Sequence, residues 1–177
     1  MGIADLIRNR FEWRPDTTLL DFGCGCHGSI AAELCDLAAR TVAVDVSPKV
    51  VAEFNRRCAN QGLTADEVVA IESNYLWNSP QFQKYFDVVV ASLVWHHIEA
   101  PDRADTAYRL AQCLKEGGVL LIVDLRAAPG INGVTNDELD ACLRFAGLAT
   151  KAIETGPRIT LRSGRKTRLL IAQGIRT

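Results

Sequence analysis

The segment 19-LLDFGCGCHGS-29 decides the fold of this 177-residue chain. An apolar pair, Leu19-Leu20, leads into an acid, Asp21, and then into a stretch with glycine at positions 23, 25 and 28. Because glycine lacks Cβ, it adopts positive φ angles and lets ligand atoms approach the main chain. The pattern predicts a strand that ends near an acid, turns tightly and opens into a helix, with a small molecule bound against the turn.

Composition indicates one globular domain, residues 1–177. The chain is 48% hydrophobic and has a formal charge of −1, which suits a single substantial core and gives no general attraction to nucleic acid or acidic membranes. No stretch is long and apolar enough to insert into a membrane. The six cysteines lie in apolar segments, and the first residues lack the pattern of a signal peptide. We therefore expect reduced thiols and a cytoplasmic protein. Cys24-x-Cys26-His27 has no second ligand pair at zinc spacing, so no metal is expected.

Strand-like apolar runs alternate with helical periodicity along most of the chain. Strands are predicted at residues 18–22, 41–46, 68–71, 86–93 and 119–125, and a leading helix at residues 1–13. Ser47-Pro48 is typical of a helix start, and Thr135 with Glu138 forms a capping-box pattern. Two further strands, near residues 151–155 and 167–172, follow each other without a helix. We predict a three-layer α/β sandwich: a mostly parallel, Rossmann-like seven-stranded sheet with an antiparallel C-terminal edge strand.

Two cofactors match the glycine turn. Gly23-x-Gly25-x-x-Gly28 fits the dinucleotide fingerprint, and Asp45 ends the next strand, where that fingerprint places an acid for the ribose. Asp21, however, is a poor neighbour for a pyrophosphate and a good one for an ammonium or sulfonium group. An NAD-dependent oxidoreductase therefore stays open as the alternative.

Five motifs in order resemble those of class I S-adenosylmethionine-dependent methyltransferases, with the greatest general likeness to the ubiquinone/menaquinone-biosynthesis-type branch. They cover residues 19–25, 42–47, 86–98, 114–121 and 133–148. Three features depart from the family pattern. His27 stands where a third glycine is usual, Asn74 replaces an acid, and the segment after the fifth strand, residues 126–134, is short.

The resemblance implies that S-adenosylmethionine is the cofactor and that its binding residues follow the strand ends. These residues are Asp21, Phe22, Gly23, Cys24, Gly25, Asp45, Val46, Ser73, Asn74, Ser92 and Leu93. Asp21 is expected at the amino-acid tail of the cofactor, Asp45 at its ribose and Asn74 at its adenine. A second interpretation of Asp21, as a cap on the backbone amides of the glycine loop, is compatible with the first.

His96 and His97 are the candidate catalytic residues. They follow the C-terminal end of the fourth strand, outside which ligands of wound sheets lie. Methyl transfer from a sulfonium depends mainly on alignment, and a base helps only when the acceptor is protonated. A positioning or structural role for these histidines is therefore favoured over catalysis.

The sequence thus predicts methyl transfer to a small organic acceptor at O, N or C. We expect the acceptor mouth, the entrance to the methyl group, to be formed by Phe11, Trp13 and residues 126–134. Because this lid is short, three alternatives stay open: a macromolecular acceptor, a homodimer that completes the site, and a catalytically silent adaptor.

The basic run from Arg158 to Arg168 leaves RNA as an alternative acceptor, but the run has no aromatic residue that could stack on a base. A solvated turn that guards a sheet edge is therefore favoured over a nucleic-acid site.

Overall fold

The computed structural model describes residues 2–25 and 30–177, so Cys26, His27 and Gly28 of the glycine turn lie outside the described residues. The helices are α1 Ile3–Arg8, α2 Ile30–Leu34, α3 Pro48–Asn60, α4 Ser73–Asn78, α5 Arg103–Cys113 and α6 Asn136–Phe145. The strands are β1 Thr18–Phe22, β2 Arg40–Asp45, β3 Val68–Glu72, β4 Phe86–Ser92, β5 Leu114–Leu125, β6 Leu148–Thr160 and β7 Lys166–Arg176. Over the described ranges, no helix is long and apolar enough to cross a membrane.

Seven strands of the described chain form one sheet in the order β3-β2-β1-β4-β5-β7-β6. The first five strands run parallel, whereas β7 is antiparallel to both β5 and β6. The predicted mostly parallel sheet with an antiparallel C-terminal edge is confirmed. Its strand order reverses between β1 and β4, which is the position where wound sheets bind ligands.

Helices cover both faces of the sheet and complete the three layers. Val89 of β4 packs in a core that includes α4, α5 and α6. Val88 and Val90 face the other side of the sheet and pack in a core with α1 and α2. Helix α3 packs over β2 and β3 in a further cluster. Burial on both faces explains why β4 is an uninterrupted apolar run after Asp87 rather than an alternating pattern.

Both predicted helix starts are confirmed by their caps. The Ser47 hydroxyl accepts a hydrogen bond from the amide of Val50 at 3.4 Å, with Pro48 at the first helical position. In α6 the Thr135 hydroxyl accepts from the Glu138 amide at 3.2 Å, and the Glu138 carboxylate accepts from the Thr135 amide at 2.9 Å. The capping box fixes where the segment after β5 ends and α6 begins.

Buried cysteines act as small apolar side chains. Cys58, Cys113 and Cys142 are buried free thiols, and Cys24 is buried as well. Burial raises the pKa of the Cys113 thiol to about 11, although Arg176 opposes the shift. This thiol therefore stays protonated and unreactive at neutral pH.

Asp87 joins the beginnings of three strands. Its carboxylate accepts hydrogen bonds from the amide and the hydroxyl of Thr18 in β1, both at 2.8 Å, and from Nζ of Lys115 in β5 at 2.8 Å. Burial alone raises the pKa of this carboxyl group, but the hydrogen bonds from Lys115 and Thr18 outweigh it. The pKa of Asp87 consequently lies below its ordinary value.

We expect Asp87→Asn to lower the free energy of unfolding by about 2 kcal/mol at neutral pH, because charge-assisted hydrogen bonds are lost. Most of this comes from Thr18, since the Lys115 side chain is 42% exposed and solvent screens its contact. The pKa of Asp87 is lower in the folded state than in the unfolded state, where it is about 3.9. The ionised carboxylate therefore stabilises the fold at pH values above about 3.9. That contribution is lost as the pH falls through the lower, folded-state pKa.

The unfolding free energies of the wild type and Asp87→Asn, measured with urea, should therefore converge as the pH falls from neutral to below the unfolded-state pKa of about 3.9. A stability difference that stays constant over this range would contradict the assignment. Asp66→Asn is the control, because its side chain is 98% exposed and its removal should leave stability unchanged.

Candidate active site

The turn after β1 is bonded to the end of β2. The amides of Gly23 and Cys24 donate to the carbonyl of Val44 at 2.8 and 2.9 Å. The amide of Gly25 donates to Oδ2 of Asp45 at 3.1 Å. These three bonds hold the turn beside the carboxyl end of the neighbouring strand, at the predicted ligand-binding edge.

Two glycines in this turn have positive φ, 77° at Gly23 and 60° at Gly25. A Cβ at Gly23 would overlap the side chain of Val94, whereas a Cβ at Gly25 would meet no atom of residues 2–25 and 30–177 within 4 Å. Gly23 is therefore required by both its backbone and its neighbour. Gly25 leaves open space above the main chain, as a cofactor approaching the backbone requires.

Asp21 is buried, with 2% of its surface exposed, and its Oδ2 accepts a hydrogen bond from the amide of Ala31 in α2 at 2.8 Å. The acid thus bonds to the first turn of α2, the helix that follows the glycine turn, rather than to a described amide of the glycine loop itself. The same residue lines a cavity, so a role toward a ligand is compatible with this hydrogen bond.

This cavity has a volume of about 380 Å³, which lies within the usual range for small-molecule sites. Predicted cofactor residues that line it are Asp21, Gly23, Cys24, Gly25, Ser92 and Leu93. The first residues of the chain, Gly2, Ile3 and Ala4, line it from the other side. The structure therefore brings the ends of β1 and β4 together under the N-terminal end of α1.

The other predicted cofactor residues lie farther along the same edge. Asp45 ends β2, and its Oδ1 accepts a hydrogen bond from the amide of Ser47 at 3.0 Å. Val46 next to it is 78% exposed, a large apolar surface available to a ligand. Ser73 and Asn74 begin α4, and Asn74 lines a separate open groove of about 690 Å³.

Phe22 does not line the cavity of Asp21, and its side chain faces the core. It is 8% exposed and packs against Trp77 with ring centroids 5.6 Å apart. Its backbone, rather than its ring, is the part that lies near the turn.

Asp124, which sequence reasoning missed, orients His96. It is fully buried, and its Oδ1 lies 2.6 Å from Nδ1 of His96, while its Oδ2 accepts from the His96 amide at 3.2 Å. A carboxylate only accepts hydrogen bonds, so Nδ1 carries the proton and Nε2 is the nitrogen left for other chemistry. The available signal was a lone acid inside the apolar run of β5, where an unpaired charge is costly.

His97 has a different environment. It is exposed, and its ring centroid lies 4.0 Å from that of His96. The chain just before both histidines is strained, since Leu93 has a φ of 54°. Such strain in a non-glycine residue is typical of functional sites, because the surrounding structure must hold it in place.

The predicted acceptor mouth is half wrong. Phe11 lines a cavity with Asp87 and Gly118, at the edge where β4 and β5 begin, and Trp13 packs against Phe11 with ring centroids 5.2 Å apart. The leading helix is shorter than the predicted residues 1–13, because α1 ends at Arg8. Phe11 therefore lies beyond the helix, at the end of the sheet opposite the predicted ligand site. Residues 126–134 do lie at the expected edge, where the Asn132 side chain donates to the carbonyl of His96 at 2.9 Å.

The donor set suits S-adenosylmethionine. A buried acid beside a cavity fits a cationic amino-acid tail, open space over Gly25 fits close backbone approach, and an acid at the end of β2 fits ribose hydroxyls. In the ranges 2–25 and 30–177, no cluster of three or more His, Cys, Asp or Glu residues is placed to hold a metal ion.

Comparison with known proteins gives the family. The model of the methyltransferase domain family matches residues 20–122, more than half of the chain. An uncharacterized methyltransferase of Schizosaccharomyces pombe is 28% identical over 124 residues, which are 66% of this chain and 42% of the relative. The match thus spans less than half the length of that relative.

Solved structures share the fold at identities too low to show more than the fold. The YcgJ protein of Bacillus subtilis superposes with a TM-score of 0.77 at 16% identity, covering 98% of this chain and 97% of the other. An S-adenosylmethionine-dependent methyltransferase of Methanosarcina mazei gives 0.76 at 15% identity, covering 97% and 96%. Geranyl diphosphate C-methyltransferase of Streptomyces coelicolor, solved with Mg²⁺, geranyl diphosphate and S-adenosyl-L-homocysteine, gives 0.76 at 16%, covering 99% and 78%.

With its motifs, its glycine turn and its sheet order in agreement, the chain belongs to the methyltransferase domain family of class I S-adenosylmethionine-dependent enzymes.

Proposed function

We propose that residues 1–177 act as one domain that transfers a methyl group from S-adenosylmethionine to a small organic acceptor at O, N or C. One observation carries the proposal: Asp21 and the glycine turn share a cavity with Ser92 and Leu93, at the point where the strand order reverses. When bound, the cofactor supplies a methyl group on a positively charged sulfur. Within the family, motif likeness favours the ubiquinone/menaquinone-biosynthesis-type branch.

The buried carboxylate of Asp21 binds the ammonium group of the cofactor in this proposal, with Gly2 and Ala4 closing the cavity above it. Asp45 binds the ribose hydroxyls. Each of its oxygens already accepts one amide hydrogen bond, from Gly25 or from Ser47, and each has room for a second. The exposed side chain of Val46, together with Ser73 and Asn74, contacts the adenine.

His96 is the better of the two candidate bases. Asp124 fixes its ring through Nδ1, which leaves Nε2 to take a proton from a hydroxyl or enol acceptor. For an acceptor without such a proton, the same pair positions the strained turn after β4 and contributes no base. The exposed His97 is the weaker candidate, since the contact found for its ring is the His96 ring rather than an acid.

A small acceptor is favoured over a nucleic acid and over NAD chemistry. Two solved structures that share the fold are named as geranyl diphosphate methyltransferases, so this fold accommodates a small-molecule acceptor. An anionic diphosphate next to the buried Asp21 would be repelled, which argues against NAD.

Titration calorimetry with S-adenosylhomocysteine tests the cofactor site. Asp21→Asn keeps the size of the side chain but removes its charge, and Asp45→Asn removes the charge at the ribose. Each change should weaken binding by roughly 10- to 100-fold, the loss expected for a charge-assisted hydrogen bond. Asp66→Asn serves as the matched control and should bind like the wild type. Unchanged affinity in both site variants, or tighter binding of NAD than of S-adenosylhomocysteine, would overturn the proposal.

Steady-state kinetics with an acceptor found in an isotope-labelled methyl-transfer screen tests the base. For a hydroxyl acceptor, we expect His96→Gln to lower kcat by roughly 100-fold with KM little changed, because general base catalysis is lost. Asp124→Asn should lower kcat by a smaller factor. His97→Gln is the control, with near-wild-type kcat. If His97→Gln is the inactive variant instead, the assignment to His96 is wrong.

A further inference from the structure

The β6–β7 hairpin ends beside the proposed acceptor mouth rather than away from it. Leu125, the last residue of β5, pairs with Leu169, and the amide of Arg126 donates to the carbonyl of Arg168 at 2.9 Å. Farther out, the guanidinium of Arg165 donates to the carbonyl of Gly130. The tip of the hairpin therefore rests on residues 126–134, at the carboxyl edge of the parallel strands.

The same loop contacts the catalytic candidate. Asn132 donates to the carbonyl of His96 at 2.9 Å, while Gly130 holds Arg165. These two loop residues are two positions apart, so their Cα atoms are separated by at most about 7.6 Å. One short loop therefore lies between His96 and the hairpin.

Six exposed cations, which we call the basic rim, surround this junction. They are Arg126, Arg158, Arg162, Arg165, Lys166 and Arg168. The sequence has no Asp or Glu at positions 125–136 or 155–177. Counting the residues that the structure describes, none of the six has a carboxylate oxygen within 4.0 Å. Arginines elsewhere are commonly ion-paired, as Arg56 is with Glu53 and Arg144 with Asp140.

Protection of a sheet edge does not account for the basic rim. The edge strand is β6, which explains Arg158, but Arg168 lies on the inner strand β7 and Arg126 follows β5. Arg158 and Arg168 also stand directly opposite each other across the two strands. Like charges in that position destabilise a sheet, so the pair works against the fold.

The hairpin end is held in place by apolar contacts. Ile159 and Leu161 on the hairpin and Ile131 on the loop are partly buried against the core that contains β4 and β7. The cations are therefore presented on a fixed scaffold, which lowers the ordering cost of binding a ligand.

We propose that the basic rim binds an anionic group of the methyl acceptor, so that the acceptor is a small molecule bearing a phosphate or a carboxylate. This inference rests on the proposed function, because only a methyltransferase needs an acceptor to enter at the carboxyl end of the parallel strands. The cations of the basic rim attract an oxyanion to the entrance. An anion bound between Arg158 and Arg168 offsets the repulsion between these two side chains. A nucleic acid is not favoured, since no aromatic side chain stands among the cations to stack on a base.

Binding of three matched probes tests this inference. Phenyl phosphate, benzoate and phenol share one ring and differ in charge, and each is titrated by ¹⁵N NMR into the protein saturated with S-adenosylhomocysteine. Phenyl phosphate or benzoate should bind at least roughly tenfold tighter than phenol and shift the amides of residues 130–132 and 165–168. The charged probe that binds more tightly, phenyl phosphate or benzoate, identifies the anionic group of the acceptor as a phosphate or a carboxylate. Affinity should fall when salt rises from about 50 to about 300 mM, because the screening length shrinks to roughly 6 Å.

Paired variants separate binding from folding. The double substitution Arg158→Gln/Arg168→Gln should weaken binding of the anionic probe by about tenfold. It should also raise Tm by roughly 1–3 °C, because a repulsive cross-strand pair is removed. Arg56→Gln/Arg144→Gln changes the net charge equally but lies elsewhere, and it should leave probe affinity unchanged.

Equal affinity for phenol and the charged probes, with the cofactor bound, overturns the inference and leaves the proposed function standing. A loss of Tm together with probe binding in Arg158→Gln/Arg168→Gln also overturns it, because the arginines then serve the fold. Tighter binding of a short single-stranded RNA than of phenyl phosphate at the higher salt replaces the small acceptor with a nucleic acid. Failure of the wild type to bind S-adenosylhomocysteine overturns the proposed function instead.

Discussion

The hydrogen bond from the Gly25 amide to the Asp45 carboxylate is the contact on which the site depends. Together with the two amide bonds to Val44, it fixes the turn after β1 against the end of β2. Gly23 can occupy that turn only because it lacks a side chain that would strike Val94. With the turn fixed, Asp21 stays buried under a cavity and the main chain at Gly25 stays open to a ligand.

The end of β4 divides the edge of the sheet into two parts. On one side, Ser92 and Leu93 complete the cavity of Asp21 and the N-terminal end of α1. On the other, the buried Asp124 holds His96, and the loop that contacts His96 also carries the basic hairpin. Our proposals assign the cofactor to the first part and the acceptor to the second. Alignment of the two across β4 is then the main contribution of the protein to catalysis.

Sequence reasoning succeeded where local signals decide structure. The apolar runs predicted β1 to β5, and the caps at Ser47 and Thr135 marked two helix starts within a residue. It failed where long-range contacts decide. Nothing local places Phe11 at the far edge of the sheet, inserts β7 between β5 and β6, or pairs a lone Asp124 with His96. The exposed turn of the basic hairpin was predicted, but its contact with residues 126–134 could not be read from its own residues.

A crystal structure with S-adenosylhomocysteine tests the central claim most directly, because it shows which acid meets which part of the cofactor. We expect the ribose hydroxyls on Asp45 while Gly25 keeps its hydrogen bond to the same carboxylate, the amino group of the tail at Asp21, and the sulfur facing the end of β4 toward His96. A cofactor whose amino group lies away from Asp21, with Asp45 bonded only to the amides of Gly25 and Ser47, would contradict the account.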